Sequence, residues 1–391
     1  MINILFLETG SPTIDGGAGG SVYSLLEIVK GIHKENFRIS VLFYNHFNIT
    51  NKFEKLGCEV IIKNKQVEKK VNNNKVLNNK NVGASIKWIK SNLGLRKLVP
   101  DIKYIINIIK ENNIQLIHCN DRLSTNISGI IAAKLVGIKV IVHQRQYETN
   151  LPFYMKYFSK KVDLFFAISN SIAEDLLLKS SVKKRNVKVL FNWISSLPQN
   201  SIKLRTNKKK ILWLGRIVPW KGTHLLIEIV ENLQKSNADF DQIVIYGEAD
   251  KSSMDYLASI KEKIDKKNLN SYFDFRGYKV FEQIDTSEFK AYFHTSLAPE
   301  PFGRTLIEAM NSSLPVFATN LGGVKDIIKD KVNGFLYDPQ NTMELIHKFS
   351  LLDNNNILND ICTNGIKTVK EKFSGENQIT TIVNCYKSFN K

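Results

Sequence analysis

Short apolar runs alternate with amphipathic stretches of ten to fifteen residues along most of the chain. This alternation is typical of repeated strand–helix units, in which parallel strands form one sheet and helices cover its faces. The pattern therefore predicts an α/β architecture built on parallel sheets.

The predicted strands fall into two series on either side of a polar segment. The first series is 2–7, 39–44, 59–63, 115–119, 139–143, 163–169 and 187–191. The second series is 211–214, 242–246, 272–276, 295–298, 316–318 and 334–337. Residues 195–210 contain Pro198 and end in a basic run, which indicates a linker.

The length of 391 residues fits two α/β domains in tandem, since about 150 residues per domain is usual. We predict an N-terminal domain over residues 1–194, a linker over 195–210 and a C-terminal domain over 211–370. A helix within 371–391 is expected to return to the N-terminal domain. In folds of this kind ligands bind at the carboxyl ends of the strands.

Charge and hydrophobicity limit the partners and the location. The formal net charge is +18, which favours anionic partners such as nucleic acid, acidic lipid headgroups or phosphorylated substrates. The longest apolar stretch, 127–142, is interrupted by Lys134 and Lys139, so no spanning helix is predicted. The N-terminus has no basic region and carries Glu8 within its apolar run, which argues against a signal peptide. We expect a cytoplasmic protein, or one peripheral on the inner face of the cell membrane.

The four cysteines are far apart and form neither a C-x-x-C pair nor a Cys/His cluster with zinc-ligand spacing. We therefore expect reduced, mostly buried thiols, without a disulfide framework or a zinc site. They are Cys58, Cys119, Cys362 and Cys385.

Residues 65–97 interrupt the strand–helix alternation. An Asn/Lys run is followed by a basic stretch in which Trp88, Ile89 and Leu93 could share one side. One interpretation is a surface that docks on an anionic membrane or a lipid-linked substrate. The alternative is a solvated insertion followed by an ordinary surface helix.

A glycine-rich loop, residues 9–20, lies between the first predicted strand and an amphipathic helix. Glycines at such a turn let the backbone approach a phosphate, and the helix N-terminus offers free N–H groups. The loop lacks the G-x-G-x-x-G spacing of a dinucleotide fingerprint, which disfavours a nicotinamide cofactor.

The segment ILWLGRIVPWKG opens the second series and places Arg216 and Lys221 just after a predicted strand. Two cations at the carboxyl edge of a strand can clamp a pyrophosphate, with arginine able to bind it through two parallel hydrogen bonds. The alternative is a solvated pair of surface cations.

Glu300 and Glu308 stand at E-x7-E spacing in the segment PEPFGRTLIEAM. Pro301 and Gly303 are expected to delay the helix until about Arg304, so that Glu300 lies in a loop and Glu308 about 7 Å along the helix. One carboxylate would bind sugar hydroxyls and the other ribose hydroxyls. The alternative is two unrelated surface glutamates.

The start of that helix supplies further candidate ligands. Backbone N–H groups at a helix N-terminus favour anions, so they would hold the phosphates or the donor sugar. The residues are Phe302, Gly303, Arg304 and Thr305.

Residues 239–241, Asp-Phe-Asp, match the letters of a metal-binding D-x-D motif. They precede the predicted strand 242–246, at the end opposite the expected site. A polar turn is therefore the preferred interpretation, and we expect no metal site.

Several segments together resemble the retaining, nucleotide-sugar-dependent GT-B glycosyltransferases of family 4, also called glycosyl transferase group 1. They are GGSVYSLLEIVKGI from Gly19, LIHCND from Leu116, KVIVHQ from Lys139, DLFFAISNSIAEDL from Asp163, LGRIVPWKG from Leu214, IVIYGEAD from Ile243, FRGYK from Phe275, and PEPFGRTLIEAM with NLGGVKDII between Pro299 and Ile328. The chain departs from the usual family pattern at two places. The usual Asn-Gly dipeptide before the linker is Asn192-Trp193, and the residues after His143 are Gln144-Arg145 rather than glycine.

The resemblance implies two Rossmann-like domains facing each other across a cleft, with the acceptor bound by the N-terminal domain and the nucleotide sugar by the C-terminal domain. It implies retaining transfer of a hexose to an acceptor hydroxyl, in bacterial cell-surface polysaccharide or glycolipid biosynthesis. The acceptor would be a glycan or lipid-linked, and neither a cofactor nor a metal is expected.

The resemblance also implies roles for individual residues. Arg216 and Lys221 would hold the donor diphosphate, Glu308 the ribose, and Glu300 the transferred sugar as a catalytic residue. His118, at a predicted strand end, would stand near the reacting centre as a second catalytic residue; its alternative is a structural histidine bonded to backbone. The backbone near Gly277 and Tyr278 would frame the base of the donor. Gly19 and Gly20 would close on the phosphate from the other domain.

Three other functions compete with transfer. A nucleotide-sugar epimerase of the same fold would isomerise or hydrolyse its substrate without an acceptor. A nucleic-acid binder would explain the charge, but zinc-finger spacing and aromatic–basic RNA motifs are missing from the sequence. A catalytically silent nucleotide-binding subunit is disfavoured by the intact set of Arg216, Lys221, Glu300 and Glu308.

Overall fold

The computed structural model describes residues 1–10, 19–63, 95–194 and 207–389. The chain divides into two compact units. Unit 1 comprises Met1–Phe191 and Gly375–Lys391, and unit 2 comprises Asn192–Ser374. The observed boundaries lie before Asn192 and after Ser374 rather than at the predicted 194 and 370. At the first of them, the Ile194 N–H donates to the Phe373 carbonyl at 3.2 Å, which ties this residue to unit 2.

Unit 1 is built on a seven-stranded sheet in the order β3-β2-β1-β4-β5-β6-β7, and all its neighbouring strands are parallel. Its strands are β1 Ile2–Glu8, β2 Phe37–Phe43, β3 Glu59–Ile62, β4 Leu116–Asp121, β5 Lys139–Gln144, β6 Leu164–Ala167 and β7 Val187–Val189. The central strands are buried because their apolar runs are covered on both faces.

The described helices of unit 1 are α1 Gly20–Ile32, α2 Thr50–Glu54, α3 Val99–Glu111, α4 Ile127–Val136, α5 Phe153–Ser159, α6 Asn170–Lys179 and, at the end of the chain, α13 Gly375–Ser388. Ser169 caps α6 by accepting a hydrogen bond from the Ile172 N–H. α13 packs closely on α1, since a Cβ at Gly31 would lie 2.2 Å from Ile379 Cδ1. A larger residue at Gly31 would push the two helices apart.

Unit 2 is built on a six-stranded parallel sheet in the order β10-β9-β8-β11-β12-β13. Its strands are β8 Lys210–Leu214, β9 Ile243–Tyr246, β10 Phe273–Phe275, β11 Phe289–His294, β12 Val316–Thr319 and β13 Phe335–Tyr337. Its α-helices are α7 Leu225–Lys235, α8 Met254–Lys266, α9 Arg304–Asn311, α10 Val324–Ile327, α11 Thr342–Ser350 and α12 Asn355–Lys372.

The predicted α/β class, with two parallel sheets, is confirmed. The predicted strand 295–298 is wrong, because the strand is β11, Phe289–His294. Thr295 instead accepts a hydrogen bond from Trp213 Nε1 and donates to the Lys221 carbonyl, and the Leu297 N–H donates to the Trp220 carbonyl. These bonds to Trp213 of β8 and to the loop that follows β8 hold the segment outside the sheet.

Several smaller expectations can be compared with the structure. All four cysteines are free and buried, as predicted for reduced thiols outside a disulfide framework. Asp239 pairs with Lys209 at 2.6 Å just before β9, and the absence of a metal there stays a prediction. Within the described ranges, no helix is long and apolar enough to span a bilayer. Most of the segment 65–97, most of the loop 9–20 and most of the linker 195–210 lie outside the described residues.

Candidate active site

A buried ion pair lies beyond the carboxyl ends of β8 and β11 in unit 2. Lys221 Nζ is 2.6 Å from Glu300 Oε2, and only 17% and 11% of the two side chains are exposed. Burial alone would raise the pKa of Glu300, but the Lys221 ammonium and a hydrogen bond from His294 hold it well below its usual range. The structure therefore brings two predicted site residues together as an ionised pair.

The loop that carries Lys221 is fixed by its backbone. A 3₁₀ helix, Pro219–Lys221, begins with proline and ends at Gly222, whose φ of +67° favours glycine. A Cβ at Gly222 would lie 2.1 Å from the Thr295 carbonyl oxygen. Close approach of this loop to the segment after β11 thus places the Lys221 side chain beside Glu300.

Glu308 lies on α9, which begins at Arg304 as predicted. Arg304 Nε donates to Glu308 Oε1 at 2.8 Å, one turn along the helix. Burial raises the pKa of Glu308 to about 7, and the Arg304 charge offsets part of that shift. The carboxyl group is therefore partly protonated near neutral pH.

Tyr292, on β11, bonds to the start of the helix that carries Glu308, although no sequence motif singles it out. Its hydroxyl donates 2.8 Å to Thr305 Oγ1. Burial raises the pKa of Tyr292, and the charges of Glu300 and Glu308 both add to the rise. The hydrogen bond to Thr305 ties β11 to the first turn of α9, the helix that carries Glu308.

The other predicted donor residues occupy the same edge of the sheet. The Gly247 N–H donates to the Gly277 carbonyl at 2.8 Å, and the Tyr278 N–H to Glu248 Oε1 at 3.4 Å. These contacts join the loops after β9 and β10. Arg216 lies exposed in the loop after β8. Hydrogen bonds from Ser252 and Ser253 lower the pKa of Asp250, and the Arg216 charge lowers it further by a smaller amount.

The Phe302 side chain has a packing role. It is 2% exposed, and its ring centroid lies 5.6 Å from that of Phe373. Its predicted contribution to donor binding therefore falls on the backbone N–H, as it does for Gly303.

Gly19 and Gly20 lie at the start of α1 in unit 1. Gly19 is the extended residue before the helix, and its carbonyl accepts from the Val22 N–H at 3.1 Å. A Cβ on either glycine would meet nothing within 4 Å. Packing among the described residues thus gives no reason for glycine here, and their phosphate-binding role stays a prediction.

His118 lies inside β4 rather than at its end, because the strand continues for three more residues. Its side chain is fully buried, with Nδ1 2.5 Å from the Tyr386 hydroxyl of α13 and the ring stacked on Phe6 and His143. Burial, aided by the Arg145 charge, lowers the pKa of His118 to about 3. The prediction that this side chain emerges at the carboxyl end of its strand is wrong, and the catalytic role loses that support.

We expect His118→Ala to destabilise unit 1 by about 2 to 4 kcal/mol, because it leaves a cavity and an unpaired Tyr386 hydroxyl. Tyr386→Phe should cost less, since it removes only the hydroxyl. Thermal unfolding of the two variants provides the measurement. A His118→Ala protein that melts like the wild type but has lost transfer activity would restore the catalytic assignment.

A polar cluster at the carboxyl ends of β1, β4 and β5 was missed. Glu8 accepts hydrogen bonds from the Gly10 N–H at 2.8 Å and from Asn120 Nδ2, and Arg145 Nε donates to Asn120 Oδ1 at 2.6 Å. Burial raises the pKa of Glu8 to about 7. The sequence feature that could have identified this cluster is Glu8, a carboxylate at the end of an apolar strand, at the sheet edge where α/β proteins form their sites.

Two family models match consecutive parts of the chain. The model "Glycosyltransferase Family 4" matches residues 18–196, and "Glycosyl transferases group 1" matches residues 197–368. The poly(ribitol-phosphate) alpha-N-acetylglucosaminyltransferase of Staphylococcus aureus is 25% identical over 360 residues, which are 88% of this chain and 68% of that protein.

Solved structures share the fold over nearly the whole chain. Anabaena HepE in complex with UDP and glucose is 21% identical with a TM-score of 0.77, covering 99% of this chain and 100% of that one. A mutant of Staphylococcus aureus TarM in complex with fondaparinux, alpha-GlcNAc-glycerol and UDP is 17% identical with a TM-score of 0.73, and each chain is covered completely. The chain therefore belongs to the family 4-like glycosyltransferases of the GT-B fold.

Proposed function

We propose that this glycosyltransferase moves a hexose from a nucleotide diphosphate sugar to an acceptor hydroxyl with retention of configuration at the anomeric carbon. The product would enter a cell-surface glycan or glycolipid. The observation that carries the proposal is the buried Lys221–Glu300 pair beside the Arg304–Glu308 pair at one edge of unit 2.

Each group has a separate task toward the donor. Lys221 and Arg216 hold the diphosphate, Glu308 accepts hydrogen bonds from the ribose hydroxyls, and Glu300 accepts them from the transferred sugar. The lysine ammonium has three N–H donors, so Lys221 can retain Glu300 and still contact a phosphate oxygen. The N–H groups at the start of α9 add positive potential for the phosphates.

The reaction breaks the bond between the anomeric carbon and the phosphate oxygen, and its electron pair leaves with the nucleoside diphosphate. The sugar gains oxocarbenium character, and the acceptor oxygen forms its bond on the same face. The departing phosphate oxygen accepts the acceptor proton. Lys221 and the α9 N-terminus stabilise the charge that develops on the leaving group.

We propose that transfer needs no resident metal or organic cofactor. Two cations and a helix N-terminus are the kind of preorganised charge that can stabilise a leaving diphosphate. Turnover after chelation with EDTA checks this point, and loss of activity that Mg²⁺ or Mn²⁺ restores would reject it.

Relatives suggest where to begin the search for a donor. HepE and the TarM mutant were solved with UDP, and the Staphylococcus aureus relative is named for N-acetylglucosaminyl transfer to poly(ribitol-phosphate). UDP-glucose and UDP-N-acetylglucosamine are therefore the first donors to try, with GDP sugars for comparison.

Thermal unfolding in the presence of nucleotide sugars tests the proposal. A donor at about 100 times its dissociation constant should add about 2.7 kcal/mol of stability. The stabilising donor is then incubated with and without glycan acceptors. A transfer product supports the proposal, an epimer formed from donor alone favours the epimerase, and no stabilisation by any nucleotide sugar rejects both.

We also propose that the acceptor is held near an anionic membrane. On α5 the Phe153 side chain is 86% exposed and Tyr157 is 49% exposed. Lys156, Lys160 and Lys161 are exposed beside them. Aromatic and basic side chains on one short helix and the two residues after it suit the boundary between headgroups and acyl chains. This surface and the basic segment 65–97 are two candidate contacts.

We expect the full chain to co-sediment with vesicles that contain phosphatidylglycerol, and less so at high salt, because each basic residue near such a surface contributes about 1 kcal/mol. Neutralising lysines of segment 65–97, or replacing Phe153 by serine, should weaken binding. Met343→Ser, at a 41% exposed position of unit 2, is the matched control. Equal binding to neutral phosphatidylcholine vesicles, or none to either, would reject the proposal.

A further inference from the structure

Two polar side chains at the end of β11 surround one oxygen of Glu300. His294 Nε2 is 3.2 Å from Glu300 Oε2, and Ser296 Oγ is 3.1 Å from the same atom. Ser296 Oγ also lies 3.0 Å from His294 Nε2, which closes a triangle. His294 and Ser296 are both buried, so bulk water does not compete for these contacts.

The protonation of the His294 ring decides whether it can donate to Glu300. The residue is the last of β11, and the Tyr337 hydroxyl donates to its backbone carbonyl at 3.1 Å, which fixes the backbone that carries the ring. Burial lowers the pKa of His294, so the ring is neutral at physiological pH and carries one proton. Nδ1 is buried with no hydrogen-bond partner among the described residues, which favours the proton on Nε2, facing Glu300.

Glu300 Oε2 thus has three donors around it: the Lys221 ammonium, the His294 ring N–H and the Ser296 hydroxyl. An ionised carboxylate in a buried position is costly unless its hydrogen bonds are made. Lys221 alone would supply the charge but would leave the carboxylate free to rotate about its side chain. The two neutral donors fix the direction from which Oε2 is held.

We infer that His294 and Ser296 are positioning residues for Glu300. They hold its carboxylate ionised and in one rotamer, so that it meets the hydroxyls of the transferred sugar without rearrangement. The inference rests on the proposed function, in which Glu300 binds that sugar. It adds two residues that touch neither the nucleotide nor the reacting atoms.

His294→Leu in the full chain is expected to lower kcat at least tenfold, with the KM for the nucleotide sugar changed less than threefold. The ribose and diphosphate contacts lie on other residues and remain. Lys221 stays in this variant, so Glu300 should remain ionised and the loss should fall on kcat rather than on KM. Ser296→Ala should lower kcat in the same way, by less.

His294→Gln separates positioning from packing, because the glutamine amide can present an N–H near the place of Nε2. We expect it to restore kcat to within threefold of the wild type. His347→Leu, at a position on α11 outside the site, is the matched control for the loss of an imidazole.

Two results would overturn the inference: a His294→Leu enzyme with an unchanged kcat, or a His294→Gln enzyme as impaired as the leucine variant. If His294→Leu does not fold, Ser296→Ala decides, and an unchanged kcat rejects the inference. A wild-type protein that neither binds nor transfers from any nucleotide sugar refutes the proposed function itself, which is a distinguishable outcome.

Discussion

Replacing Lys221 with alanine is expected to lower kcat by about a hundredfold to a thousandfold, the usual cost of removing one group that stabilises developing negative charge. In the proposed reaction that charge appears on the leaving diphosphate, so the loss should fall on turnover more than on donor binding. Single-turnover and steady-state rates with a saturating acceptor provide the measurement.

Lys221→Ala also tests the ion pair in the free protein. It leaves Glu300 buried without its cation, and breaking a buried pair from one side typically costs about 3 to 5 kcal/mol. Adding Glu300→Gln should recover part of the stability but none of the activity. Lys266→Ala is the matched control, since that lysine is 72% exposed and pairs only with Glu262 in the described contacts.

Arg216→Ala should lower turnover by orders of magnitude without a change in melting temperature, because its side chain is exposed in the free protein. The contrast with Lys221 distinguishes a group that contacts only the ligand from one that also supports the fold. Near-normal turnover in both variants would remove the two cations from the site.

The sequence predicted best what depends on local pattern. Apolar runs identified the strands, and Pro301 with Gly303 identified Arg304 as the first residue of α9. The pattern failed at 295–298, where an apolar pair and two hydroxyl residues looked like a strand. That segment bonds to the loop after β8, about 75 residues earlier in the chain, and no local pattern encodes such a contact.

The placement of the His118 side chain was mispredicted for a similar reason. Its partner Tyr386 stands 268 residues away and reaches β4 only because α13 returns to unit 1. The sequence suggested that the last helix returns, but not which strand residue it would contact. A histidine within an apolar strand run is as consistent with such a buried partner as with a site.

The charged pairs of the site show how much spacing alone can predict. The E-x7-E spacing identified both glutamates, and the fold puts each beside a cation. The spacing could not predict that the pKa of Glu300 is lowered beside Lys221 while the pKa of Glu308 is raised despite Arg304. Both carboxylates are buried, so the difference comes from their neighbours: Lys221 and His294 lower the pKa of Glu300, whereas the Glu282 charge opposes Arg304 beside Glu308.

Glu308→Gln is expected to weaken donor binding about tenfold to a hundredfold, because charge-assisted hydrogen bonds to a carboxylate are worth about 1.5 to 3 kcal/mol. The amide can still accept a hydrogen bond from Arg304 Nε, so the start of α9 should stay intact. Calorimetric titration with the stabilising nucleotide sugar measures the loss, and unchanged affinity would reject the ribose assignment.

The raised pKa of Glu308, about 7 against an ordinary value of 4.5, gives this variant a second signature. Between those values the folded protein binds the proton more tightly than the unfolded chain, so wild-type stability falls as pH rises from about 4.5 to about 7. Glutamine never ionises, and Glu308→Gln should therefore be at least as stable as the wild type at pH 8. Donor binding needs the ionised carboxylate, so the affinity gap between wild type and variant should widen from pH 6 to pH 8. Parallel affinity profiles, or a variant less stable at pH 8, would show that Glu308 acts through Arg304 and the fold rather than on the donor.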